Sequence, residues 1–211
     1  MKLFTFPPAP NAQRVQMFLY EKKIELDLVE LNVRDGEQFK KPFKNMNPFG
    51  CIPFLKLEDD TIISETVSIC RYLEDLFPEP YLFGKSAKER ALIDMWNRRL
   101  ELDGFLPLLH SIRNSSPRFT GRVIPGTRSE LPQLSSMAER GIEMFEVLLN
   151  RISPQLETNE YIAGADFSIA DITGCYMMDL SKLVDLDIEN KHPNIFAWHD
   201  RIRKRKSHKN V

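Results

Sequence analysis

One stretch of this chain, NPFGCIPFLKLEDDTIISET from Asn47 to Thr66, holds residues whose types and order suit the binding of a small peptide. Pro53 stands between an apolar residue and a strand-like run, where a trans proline would forfeit a sheet hydrogen bond. A cis Ile52-Pro53 bond would instead turn the backbone and leave the Ile52 amide and carbonyl facing outward. Those groups can pair with an extended peptide, as a strand added to a sheet edge does. The alternative is an ordinary turn proline ahead of a hairpin. Further on, Ser64-Glu65-Thr66 marks the end of a strand and the start of a helix. Free first-turn amides and the positive end of the helix dipole favour a carboxylate there. Glu65 can hold an ammonium, and the Thr66 hydroxyl and amide the neighbouring carboxylate, which together make a receptor for an amino-acid zwitterion. The competing role for Ser64 or Thr66 is that of a helix cap.

Other chemistries are absent from the sequence. It has no Gly-rich phosphate loop, no HExxH and no GxSxG. His110, His192, His199 and His208 have no spacing suited to a metal, so no metal site is expected. Glu58-Asp59-Asp60 reads as a turn, since acid pairs in catalysis usually come from separate elements facing one cleft. Cys51, Cys70 and Cys175 form no CxxC pair, and an odd count argues against a disulfide framework. Cys51, two residues before Pro53, invites a redox role but lacks a partner; packing is favoured. Cys70 and Cys175 belong to apolar helix faces. Trp96 and Phe105 are read as core residues in preference to lining a ligand pocket, and Asn114-Ser-Ser as a sequon without meaning in a protein that is not secreted.

The elements that must position these residues change character partway along the chain. Lys2–Phe6 reads as a strand, stopped by Pro7-Pro8. After Asn11 the positions Val15, Phe18, Leu19 and Ile24 follow helical spacing. Glu25–Val33 alternates as a second strand. Phe54–Leu57 and Thr61–Ser64 form a hairpin about the acidic turn, and Glu65–Leu76 a helix. The order is β-α-β, an irregular stretch, then β-β-α. FPEPYLFGKS (77–86) breaks the pattern, giving a linker over 79–85 between domains at 1–78 and 86–211.

The second domain reads as wholly helical. Ser86-Ala-Lys-Glu89 is a capping box opening a helix through Leu92, Met95, Trp96, Leu100, Phe105 and Leu109, kinked at Pro107. Pro132 suits the start of a helix to about Arg151, through Met137, Ile142, Phe145 and Leu149. Ser168-Ile-Ala-Asp171 is a second box, and a last helix follows Pro193. The fold class is therefore α/β plus all-α.

The chain has 211 residues, 42% hydrophobic, with a net charge of −1. This composition fills a core and excludes a disordered or fibrous chain. The near-neutral total hides a basic tail: residues 201–211 carry six Lys/Arg and no acid, leaving −7 on residues 1–200. The tail is read as a helix end whose cations complement its dipole, not as a nucleic-acid or membrane anchor. MKLFTFPPAP has no signal-like apolar run, and no stretch approaches the roughly 20 apolar residues of a membrane span, so a cytoplasmic location is expected.

The order of elements, with Ile-Pro, Glu-Thr and YIAGADFSIADITG in place, resembles the cytosolic glutathione transferases over most of residues 1–200. NPFGCIPFL, SETVSICRYLED and AGADFSIAD follow that family's patterns in the right order. The resemblance implies a thioredoxin-like N-terminal domain (βαβ-ββα), an all-helical C-terminal domain contributing the electrophile pocket, a homodimer and a role in detoxification. It implies glutathione as co-substrate, with Ile52 on the cysteinyl backbone and Glu65 and Thr66 on the γ-glutamyl end. Gln38 or Lys40 would help bind the peptide or its glycyl carboxylate. The box at Ser168–Asp171 matches the family's folding motif.

The departure is catalytic. Where such families place Tyr, Ser or Cys in the first strand-helix turn, this chain has Ala9. APNAQRV, with Gln38-Phe39, most resembles the bacterial nu-like branch, which points to Asn11 as the group orienting the thiolate; Asn11 also suits a helix cap. The function implied is transfer of the glutathione thiolate to a small electrophile. The alternatives are glutathione-dependent disulfide reduction and a noncatalytic binding protein of this fold.

Overall fold

A computed structural model of the chain describes residues 1–210. It divides into two compact units: Met1–Pro80 with Ile124–Arg128 and Asn210, and Tyr81–Val123 with Ser129–Lys209.

In the first unit β1 (Lys2–Thr5), α1 (Pro10–Lys22) and β2 (Asp27–Glu30) form a βαβ unit, with β1 and β2 parallel. A 3-10 turn (Glu37–Phe39) and the short helix α2 (Lys41–Met46) follow. Then β3 (Phe54–Lys56), β4 (Ile62–Ser64) and α3 (Thr66–Leu76) complete a thioredoxin-like arrangement. The sheet order is β2-β1-β3-β4, with β3 antiparallel to both neighbours. Leu3, Phe4 and Thr5 of the inner strand β1 are all buried, so β1 has no solvent face and no apolar–polar alternation. Phe4 stacks on Phe54 at 4.5 Å between centroids and meets Phe43 edge-on at 6.0 Å.

The strands are shorter than their sequence pattern implies, most of all β2, an edge strand whose Leu28 is exposed. The irregular stretch after Val33 contains α2. Six residues are too few to show a helical period, yet Phe43 and Met46 pack against Phe4, Leu31 and Phe54. At the far end of α1, Lys22 is buried. Its ammonium donates to the carbonyls of Pro78 (2.9 Å) and Pro80 (2.8 Å) and pairs with Glu74 at 2.6 Å. This one side chain ties α1 to α3 and to the end of the unit.

The second unit is helical: α4 (Ala87–Arg99), a π-helical segment (Leu100–Phe105), α5 (Leu106–Ser115), α6 (Ser135–Thr158), α7 (Ile169–Ser181), α8 (Ile188–Lys191), α9 (Pro193–Arg203) and α10 (Lys206–Lys209). Its largest fully buried side chains include Trp198 and Phe145. Instead of a proline kink, the chain takes a π turn before Pro107, which then sits in the first turn of α5 where its missing N–H costs little. The buried face of α4 is Ile93 and Asn97, while Leu92 is exposed. Asn97 is polar yet buried because it accepts from the Thr173 hydroxyl at 2.6 Å and donates to Glu101 at 3.2 Å.

Helix α6 begins at Ser135, not Pro132, and passes through Pro154 to Thr158. Asn114 fixes that start: its amide oxygen takes the Leu134 N–H at 3.0 Å and its nitrogen donates to His110 O at 2.9 Å. Met137 is exposed, the inward face being Ala138, Gly141, Phe145, Leu148, Leu149 and Ile152. The Ser86 hydroxyl accepts the Glu89 amide as a capping box requires, and the Glu89 carboxylate reaches the amide of Lys85 at 2.8 Å.

The box at α7 is complete. Asp171, fully buried, accepts from Ile162 N, Ser168 N, Ser168 Oγ and Trp198 Nε1, each within 3.0 Å. Burial pushes its carboxyl up to about 6 against the opposing effect of those donors.

Candidate functional site

The topology gathers the chemistry-bearing residues at one end of the first unit's sheet. β1 runs parallel to β2, and β4, antiparallel to β3, runs parallel to β1 as well. Helices α1 and α3, which follow β1 and β4, therefore begin at the same sheet end. The segment leading into β3 reaches that end too, because Phe54 pairs with Phe4 and with Ser64. The loop after β2 also leaves from it, since Glu30 pairs with Thr5. Asn11, Gln38, Lys40, Ile52, Glu65 and Thr66 all belong to these segments.

Asn11 and Thr66 are in direct contact across 55 residues of chain: the Thr66 hydroxyl donates to the Asn11 carbonyl at 3.4 Å. Ala9 occupies the cap position of α1 in an extended conformation, Pro10 follows, and no side chain caps the helix among the described residues. The first-turn amides therefore lack the partner that Ser or Asp would supply. The Asn11 side chain is not the cap. Its Oδ1 accepts from Arg14 Nη1 at 3.1 Å, and Arg14 is itself buried. With its oxygen so held, the Asn11 amide directs its NH₂ donors away from Arg14.

Glu65 is exposed and sits at φ 73°, ψ 125°, a conformation that L residues rarely adopt. Strain of this kind, about 1–3 kcal/mol, collects at ligand sites. Thr66, the first residue of α3, is buried. The Ile52-Pro53 peptide bond is cis, as is Glu79-Pro80. Ile52 itself lies just outside the β3 ladder, whose pairing starts at Phe54. The preceding turn is pinned by a residue whose role the sequence reading missed. Buried Asn47 donates to Cys51 O at 2.8 Å and accepts from Phe49 N at 3.3 Å. Its position before Pro48 is the usual signature of such a turn. Cys51 is half-buried on this turn.

Gln38 and Lys40 differ in availability. Gln38 is buried and its amide oxygen meets no hydrogen-bond partner, whereas Lys40, at the start of α2, is exposed. Phe105 is buried in the second unit; Trp96 is only half-buried, with the Arg99 guanidinium 4.8 Å from its ring centroid. Cys70 and Cys175 are core residues.

The histidines acquire neighbours that no sequence spacing shows. Cys175, Asp179 and His208 place ligand-type atoms within 4.8 Å of one another. Asp179, however, already faces Lys182 at 2.5 Å, His208 at 3.0 Å, His199 at 3.2 Å and Arg203 at 3.6 Å. Its acidity is raised by these hydrogen bonds and charges in spite of burial, while burial pushes the Cys175 thiol far up. The cluster is an ion-pair hub, and it gives part of the basic tail a place: His208 stacks on Tyr176 at 5.6 Å and docks α10 on α7.

A strained residue between strand and helix and two helix starts at one sheet end in the first unit, with a capping-box helix in the second, are the features of a glutathione-transferase-like protein. Residues 9–76 match the N-terminal domain of glutathione S-transferases and residues 123–206 the C-terminal domain. The chain is 31% identical to a Gtt2-class glutathione S-transferase of Vibrio parahaemolyticus, covering 99% of this chain and 95% of that one, with a TM-score of 0.84. The crystal structure of Gtt2 from Saccharomyces cerevisiae matches all of this chain and 99% of its own at 29% identity and a TM-score of 0.89. The yeast protein glutathione S-transferase 2 is 29% identical over all of this chain and 89% of its own length. The chain belongs to the glutathione S-transferase family.

Proposed function

We propose that this protein is a glutathione transferase in which Asn11 and the uncapped start of α1 hold the thiolate of the peptide for attack on a small electrophile. The observation that carries the reading is the contact of Thr66 with Asn11, which joins two helix N-termini over one spot. In this reading Glu65 takes the γ-glutamyl ammonium, Thr66 its carboxylate, and Ile52 the cysteinyl backbone. Lys40, and Gln38 beside it, serve the glycyl end. Residues 1–78 form the glutathione-binding domain, and 86–211 supply the electrophile pocket.

The chemical task is modest in size. A free thiol titrates near about 8.5 and reacts as thiolate. Lowering that by about two units needs roughly 2.7 kcal/mol of selective stabilisation. One hydrogen bond from an amide to the thiolate contributes about 1.5–3 kcal/mol and a helix start about 0.3–1 kcal/mol. No hydroxyl or thiol at position 9 is needed. Asn in this turn also supports placement near the nu-like branch.

A second reading, glutathione-dependent disulfide reduction, is favoured by Ala9 itself: no protein nucleophile stands in the turn, so both sulfurs of the reaction would come from substrates. Assays with chlorodinitrobenzene and with hydroxyethyl disulfide separate the two. Turnover of the first is expected; activity on the disulfide alone reverses the order, and absence of glutathione binding by calorimetry leaves a noncatalytic protein of the same fold.

The protein is further proposed to work as a cytoplasmic homodimer. In the second unit Leu102, Leu106, Met137, Met144 and Val147 leave an exposed apolar face on the π segment, α5 and α6, of a kind that marks interaction surfaces. No helix among the described residues is long and apolar enough to cross a membrane.

A further inference from the structure

The ion-pair hub on α7 also has the donor set of a metal centre. Cys175 and Asp179 are four residues apart, so their side chains lie one above the other on a single face of that helix. His208 reaches them from α10, its Nε2 standing 3.0 Å from Asp179 Oδ2. His199 reaches them from α9, with Nε2 3.2 Å from Asp179 Oδ1. Three helices of the second unit thus bring a thiol, a carboxylate and two imidazoles together. The sulfur, a carboxylate oxygen and a His208 nitrogen lie within 4.8 Å of one another.

His199 carries the argument beyond ion pairing. Its side chain is only 5% exposed, and its Nε2 makes no well-aligned hydrogen bond although Asp179 Oδ1 is within reach. A buried ring nitrogen and a carboxylate oxygen so placed have the spacing of two neighbouring ligands of one cation. With bonds of about 2.0–2.2 Å, adjacent donors of a tetrahedral ion stand roughly 3.3–3.6 Å apart. Lys182 and Arg203, the other cations on Asp179, are exposed, so their heads can turn to water when an ion takes their place. Asp179 and His208 are only half-buried, which leaves a way in from solvent. The Tyr176 ring stacks on His208 at 5.6 Å and fixes the plane of its imidazole. Burial keeps the Cys175 thiol protonated by itself, but a bound cation ionises a coordinating thiol, whose proton goes to solvent as the metal–sulfur bond forms. A mixed sulfur, nitrogen and oxygen set suits zinc, whereas magnesium and calcium take oxygen ligands. One divalent ion is neutralised by the thiolate and the carboxylate together.

We propose that Cys175, Asp179, His199 and His208 form a zinc site in the second unit, which fastens α9 and α10 to α7 and in which Lys182 takes the place of the ion on Asp179 when zinc is absent. The site is independent of the glutathione reading above. Spacing along the chain gives no hint of it, because its ligands come from three helices and meet only through their packing.

The test is calorimetric titration of the full-length protein with zinc chloride, beside visible and near-ultraviolet spectra with cobalt(II) as a substitute ion, for the parent, His208→Ala and Cys175→Ser. The parent is expected to take one zinc per chain and to give a tetrahedral cobalt spectrum with a thiolate charge-transfer band. Losing a partner behind a ligand weakens metal binding by about 10–100-fold, so losing a ligand should cost at least about 100-fold. His208→Ala is therefore expected to bind zinc at least about 100-fold more weakly, and Cys175→Ser to lose the charge-transfer band. His208 is half-buried on a short terminal helix, so the metal-free His208→Ala protein should keep its fold, which its far-ultraviolet circular dichroism checks. No zinc binding by the parent overturns the assignment. So does a cobalt spectrum without the thiolate band, or a zinc affinity in His208→Ala within about threefold of the parent.

Discussion

Replacing Asn11 by Ala should raise the pKa of the bound glutathione thiol by about one to two units. The size follows from the site. Arg14 Nη1 holds Asn11 Oδ1 at 3.1 Å, so the amide nitrogen is the group free to face a ligand, and it offers a donor. A donor to a thiolate contributes about 1.5–3 kcal/mol, and at 1.36 kcal/mol per unit its loss is worth about one to two units. The amides at the start of α1 remain, so a small depression below the free thiol persists. The fold and the peptide site should survive, because Thr66 bonds to the backbone carbonyl of residue 11, which alanine keeps. The measurement is the ultraviolet absorbance of the thiolate in a saturated complex, titrated between about pH 5 and 10. Asn11→Asp gives an independent arm: an anion beside the sulfur disfavours the thiolate, so its pKa should rise at least as far as in Asn11→Ala. A thiol pKa in Asn11→Ala within about 0.3 units of the parent would refute the reasoning, and unchanged glutathione affinity beside it would show that the site itself was intact.

The two units carry their own predictions. Lys22→Met removes the buried partner of Glu74 and the donor to two carbonyls, and should destabilise the protein by about 3–5 kcal/mol in urea unfolding. Lys22→Met with Glu74→Leu should recover part of that loss, and no recovery would mean that the carbonyl contacts dominate. Asp171→Ala should cost several kcal/mol, since four buried donors lose their acceptor at once. The Asp171 carboxyl, raised by burial from 3.8 to about 6, binds its proton more tightly folded than unfolded. Its contribution is therefore largest below about pH 4 and declines by about 3 kcal/mol as pH rises through 6. The stability of the parent minus that of Asp171→Asn should show this fall, and a flat difference between pH 4 and 7 would count against it.

What the sequence conveys about this site depends on whether a residue acts through its own chain neighbours or through distant ones. Ser168 and Asp171 satisfy each other three residues apart, so their box is readable from spacing alone. Trp198, 27 residues further on, completes the same carboxylate and carries no such mark. The strand-to-helix junctions at Ala9–Asn11 and Ser64–Thr66 are likewise local, but their meeting at 3.4 Å is a property of the strand order. Short elements fail for another reason. Helix α2 owes its existence to Phe43 and Met46 packing on the core of the first unit, and six residues, one of them Pro42, cannot announce a period.

One segment of the first unit is the limiting case. Ile124–Arg128 contains Pro125 and Gly126 and reads as any loop between helices; neither residue type says what the loop lies on. Its destination is written instead in the other strand of the contact, where Gly50 must stay small and Asn47 must hold the turn. A segment of this kind is legible only as a pair of complementary absences, two missing side chains 76 residues apart. That is why a reading confined to local motifs placed the recognition of the peptide within residues 11–66. The structure adds the close seating of Gly126 on the turn that ends at Cys51.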